Sequence, residues 1–103
     1  MALLDDIFVG TELKFALDIT ADGFDMDNDG WSVTVKGSLG SVRIDKSDCI
    51  DDGESNWFFT FDSTAVGPGQ PVAIVTAYVP DNDFPDGLRT EVDKVNLPIY
   101  IRR

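Results

Sequence analysis

Trp31-Ser32-Val33-Thr34-Val35-Lys36 and Trp57-Phe58-Phe59-Thr60-Phe61-Asp62 decide the fold of this chain. In both, apolar and polar residues exchange places step by step, with Phe58 the one apolar side chain out of turn. A strand projects successive side chains to opposite faces, so a period of two marks a segment buried on one side only. Working outward, Leu13, Phe15, Leu17 and Ile19 alternate with Lys14, Ala16 and Asp18. Val42 and Ile44 point inward from a short strand at 41–45, and Leu97, Ile99 and Ile101 share one face of a closing strand or pair of strands within 88–101. With a long strand at 71–79, and residues 1–9 as an N-terminal arm or edge strand, about seven segments result, each closed by a Gly-, Asp- or Pro-rich turn. The expectation is an all-β chain, residues 1–103 forming a single Ig-like antiparallel β-sandwich. Its core should contain Leu13, Phe15, Leu17, Trp31, Val33, Val35, Trp57, Phe59, Phe61, Val75 and Ala77.

At 103 residues the chain has room for one hydrophobic core. Nineteen acids against 8 bases, with no histidine, give a formal charge of −11. Such a field repels phosphate backbones and anionic lipid, so neither nucleic acid nor membrane is an expected partner. Met1-Ala2-Leu3-Leu4-Asp5-Asp6 carries acids where a secretory signal carries bases, and no signal is expected. Cys49 is the only cysteine, so no intrachain disulfide can form.

The sharpest local motif is Asp25-Met26-Asp27-Asn28-Asp29-Gly30, the first half of a calcium loop with Asp25, Asp27 and Asp29 as candidate ligands. Its second half is missing, since Lys36 stands where a bidentate Glu belongs and a strand pattern follows the glycine. The loop therefore reads as a solvated acidic turn, and neither calcium nor any other cofactor is expected. The acidic loops around Asp48–Glu54 and Asp81–Asp86 read the same way. Without histidine, Cys49 and the serines have no general base beside them, and one cysteine makes no conventional zinc site. No catalytic residues emerge, and the expectation is a protein that is not an enzyme.

Some faces that alternation assigns to solvent are too apolar. Phe58 lies on the polar side of its strand, and Val72, Ile74 and Tyr78 lie on the second side of the long one. These four residues are the expected interaction surface, unless a loop or the N-terminal residues cover them.

Several phrases stand out at the scale of the whole layout. They are Gly10-Thr11 leading into Leu13-Lys14-Phe15-Ala16-Leu17, the hairpin opening at Trp31-Ser32-Val33-Thr34-Val35, the turn Gly67-Pro68-Gly69 before a long strand, and Arg89-Thr90 before the closing strand. This arrangement resembles the small Ig-like β-sandwich modules of tailed-phage and prophage virion proteins, including the N-terminal domain of baseplate upper proteins. Gly23-Phe24-Asp25-Met26-Asp27 with Trp31, and Val79-Pro80-Asp81, also resemble proteins of gut Bacteroidales and their prophages. The resemblance implies a non-enzymatic structural or accessory protein of a tail, baseplate, adaptor or head decoration. Its partners would be other virion proteins or further copies of itself, and its place the virion and, during assembly, the bacterial host cytoplasm. Baseplate modules usually continue into a coiled coil or fibre and this sequence ends at Arg103, so a free-standing accessory, adaptor or decoration subunit is the expectation. The alternative is an Ig-like ligand-binding module at a cell surface, calcium-dependent or binding sugar through Trp31, Trp57 and Tyr78.

Overall fold

The computed structural model describes residues 5–103; Leu3 and Leu4 of the expected arm lie outside the described residues. The chain is all-β, and its antiparallel sheets pack face to face as a sandwich. One sheet runs β2 (Glu12–Leu17), β6 (Trp57–Asp62) and β5 (Ile50–Asp51), with β6 in the middle. The other runs β4 (Ser41–Asp45), β3 (Trp31–Lys36), β7 (Val72–Pro80) and β8 (Leu88–Asn96). A parallel pair, β1 (Asp5–Phe8) with β9 (Ile99–Arg102), closes one end. The order β2-β6-β5 facing β4-β3-β7-β8 parallels the B-E-D and C′-C-F-G order of immunoglobulin-type sandwiches.

Nine strands stand among the described residues where about seven were expected. The difference has two local causes. Within the acidic loop before Trp57, Ile50 and Asp51 pair with Phe58 and Trp57 and make the two-residue β5. At the other place Pro98, which has no N–H to donate, breaks the closing strand. The Leu97 N–H still reaches Pro71 and the Ile99 N–H turns back onto Leu97, after which β9 leaves to pair with β1 and to bridge Gly69.

The alternation holds where it was read. Trp31, Val33, Val35, Trp57, Phe59, Phe61, Val75 and Ala77 are buried, while Leu13, Phe15 and Leu17 are half-buried because β2 is an edge strand. The tryptophans meet edge-to-face across the sandwich, centroids 5.2 Å apart at 89°. Phe15 stacks on Phe59 and Phe61 from the neighbouring strand, centroids 5.8 and 6.1 Å away. Among the described residues no helix is long and apolar enough to cross a membrane.

Candidate protein-contact surfaces and the acidic loop

The four residues expected to form an interaction surface are all half-buried and all turned away from the core, but they do not lie together. Phe58 is on the outer face of the three-stranded sheet, between Ala16 and Ile50, with the Lys14 ammonium 4.5 Å from its ring. Val72, Ile74 and Tyr78 are on the outer face of the four-stranded sheet, on the opposite side of the molecule. One surface of four residues is thus corrected to two surfaces. The cause is simple: β6 and β7 both turn their polar sides outward, and they belong to different sheets.

Around Val72 and Ile74 the cross-strand neighbours are Lys36 and Asn96, and Thr34 and Lys94. Tyr78 sits beside Thr90 and over Gly30, whose carbonyl accepts the Tyr78 N–H at 2.9 Å. The apolar surface continues onto β8, where Val92 is 58 % exposed and Leu88 40 %. Sequence reading missed both, because no face of β8 is buried and its apolar residues follow no period of two. Val95, on the other side of the strand, is 49 % exposed.

Among the described residues β8 pairs only with β7. The Leu97 N–H donates to Pro71 at 3.0 Å and the Asp81 N–H to Gly87 at 2.9 Å, and both lie in the register of the β7–β8 ladder. Antiparallel bonding alternates along a strand, so Arg89, Glu91, Asp93 and Val95 bond to β7. Leu88, Thr90, Val92, Lys94 and Asn96 therefore turn their backbone N–H and C=O toward the open edge, where the Leu88 N–H is taken by the Asp86 carboxylate at 3.0 Å and the Lys94 N–H by that of Asp93 at 2.9 Å. Beside that edge, between β8 and the chain leaving β2, runs a groove of about 320 Å³. Leu17, Ile19 and Val95 give it apolar walls, and Asp18, Glu91 and Asp93 line it with carboxylates. Arg89, the cation on the same side of the strand, is drawn to Asp81 at 2.6 Å, and Glu91 lies 3.8 Å from it, while Lys94 lies on the outer side opposite Ile74.

The calcium-like loop is internally bonded. Asp25 accepts from the Asp27 N–H and the Asn28 amide, while Asp29 accepts from the Asp25 N–H. Asp27 accepts from the Trp57 indole N–H at 2.9 Å and from the Ser55 hydroxyl. The Lys46 ammonium donates to the carbonyls of Asp27 and Asp29, both at 2.9 Å, and lies over the Trp57 ring. A cation of the chain thus already sits on the backbone of this loop. The Trp31 indole donates to the Met26 carbonyl, so both tryptophans anchor this loop, and neither turns a ring face to solvent for a sugar. Among the described residues no group of three or more Cys, Asp or Glu is placed to hold a metal ion.

The other loop carboxylates serve their own turns. The Glu54 and Asn56 N–H groups hold Asp52 below the usual carboxylate range, and the Asp83 N–H with Arg89 does so for Asp81. Burial, then Asp48, pushes the Cys49 thiol up and so disfavours the reactive thiolate. Compared with protein-family profiles, curated proteins and solved structures, the chain matches none.

Proposed function

We propose that this chain is a non-enzymatic structural or accessory subunit of a tailed-phage or prophage particle, in a tail, baseplate, adaptor or head-decoration position, acting by contact with other virion proteins. The supporting observation is the outer side of β7 and β8, where Val72, Ile74, Tyr78, Val92 and Leu88 interrupt an otherwise polar surface. Apolar side chains gathered in this way on one outer face are typical of protein contacts. The resemblance of the layout to phage modules suggests the particle, and the charge of −11 favours a protein partner over nucleic acid or anionic lipid.

The test is density-gradient banding of particles from the producing strain, with the chain followed by mass spectrometry. The parent chain is expected to band with the particle, and the Ile74→Asp, Tyr78→Asp double variant to stay at the top of the gradient while keeping its circular dichroism. A parent chain that never bands with particles, or a folded double variant that bands like the parent, would contradict the reading. Phe58→Ser, on the opposite sheet, is expected to leave banding unchanged.

A further inference from the structure

We propose that the open edge of β8 accepts an extended cationic segment of another protein as a fifth strand of the four-stranded sheet. The segment's alternate side chains would enter the groove beside β2. The inference rests on the chain being a protein-contact module and adds to it the mode of contact and the chemistry of the partner.

Three observations converge on this edge. First, Leu88, Thr90, Val92, Lys94 and Asn96 face no neighbouring strand among the described residues; the Leu88 and Lys94 N–H groups reach only the carboxylates of Asp86 and Asp93, which an incoming strand would have to replace, and the edge is otherwise the substrate of β-augmentation. Second, the edge carries exposed aliphatic surface on both sides, Val92 and Leu88 outward and Val95 toward the groove. Third, the groove side is acidic: Glu91 and Asp93 would be direct cross-strand neighbours of an added strand, and Asp18 faces them from beyond β2.

Charge then selects the occupant. Inward-pointing acids on an edge strand are a device against self-pairing. Two β8 edges joined antiparallel about Val92 would oppose Glu91 of one copy to Asp93 of the other; of the adjacent registers one opposes Asp93 to Asp93, and the other opposes Glu91 to Glu91 with Arg89 facing Asp93 on either side, where Asp93 competes with the Arg89–Asp81 contact. A register pairing Arg89 with Glu91 overlaps only the first part of the strand and competes with the Arg89–Asp81 contact. Like charges directly opposite are destabilising and opposite charges favourable. Added to a net charge of −11 on each copy, this disfavours a second copy on the edge. The same carboxylates favour a strand whose groove-facing residues are Lys or Arg and whose outward residues are aliphatic, lying over Val92.

The probe is a short blocked peptide alternating valine and lysine, with its valine–glutamate counterpart as control, added to isotope-labelled full chain and followed by NMR. The lysine peptide is expected to shift β8 and residues 17–21 and to slow amide exchange at Leu88, Thr90, Val92 and Lys94. The glutamate peptide is expected not to bind, and Glu91→Lys with Asp93→Lys to invert the preference. Val92→Pro removes an N–H that points to the open edge and takes no part in the β7 ladder, so it should leave the fold intact and weaken binding by about tenfold or more. Shifts scattered over the acidic loops, or undiminished binding to folded Val92→Pro, would overturn the proposal. Should Val92→Pro fail to fold, a lysine peptide N-methylated at alternate residues decides on the parent chain, and equal binding of that peptide overturns the proposal. Peptide binding by a chain that stays off particles would contradict the virion reading alone, and banding without peptide binding would contradict the strand-addition reading alone.

Discussion

Asp27 shows how one side chain fixes the character of its loop. Its carboxylate takes the buried Trp57 indole N–H and the Ser55 hydroxyl, while Lys46 gathers the backbone carbonyls on either side of Asn28. Removing the acceptor strands an indole N–H that is partly buried, and a hydrogen bond to a charged group is worth roughly 1.5–3 kcal/mol in a sheltered setting. Asp27 is exposed, so the lower end applies, and Asp27→Ala is expected to lower stability by about 1–2 kcal/mol. Asp27→Asn, which keeps an acceptor, should lose less. Urea midpoints followed by tryptophan fluorescence check both; equal midpoints for Ala and parent would mean that the loop does not hold Trp57. The sequence made the loop's acidity and glycine legible as a turn. That Asp27 would bond an indole 30 residues away was not legible, because it depends on the two sheets closing over Trp31 and Trp57.

Elements buried on one face were readable, and those buried on neither were not. In β3, β6 and β7 the inward residues alternate without a break, so a period of two placed Trp31, Val35, Phe59 and Val75 in the core. β8 has no sustained buried face, and its exposed Val92 and Val95 lie on opposite sides, which erases the signal. β6 and β7 follow one another in the chain but belong to different sheets, which alternation does not reveal, and that alone separates Phe58 from Tyr78. Turns carry their own constraint. At Gly37, which closes the β3–β4 hairpin onto Gly40, a Cβ would run into the Val66 backbone carbonyl. Backbone must shift to admit even a methyl group, and forced overpacking of this kind costs about 1–3 kcal/mol. Gly37→Ala should accordingly melt several degrees below the parent, whereas a melting temperature unchanged from the parent would mean that the hairpin approaches the Val66 turn less closely.

The whole molecule is a sandwich with two outer faces, a strongly negative field and one edge that is both apolar and unpaired. Self-repulsion and the acids of β8 would disfavour a second copy on this edge, and neither hinders a cationic partner. Everything proposed for the edge depends on β8 being bonded on one side and open on the other in the isolated protein. Amide hydrogen exchange resolved by residue tests this most directly, because opening free energy follows the local hydrogen bonds. Along β8 the expected result is a slow–fast alternation, with Arg89, Glu91, Asp93 and Val95 protected through their bonds to β7 and Thr90 and Val92 exchanging freely, while Lys94, bonded to the Asp93 carboxylate, falls between. Uniform protection across Leu88–Asn96, independent of protein concentration, would show that the edge is already covered by the chain itself and would contradict an open docking strand; uniform protection that disappears on dilution would contradict it in favour of a pairing between copies.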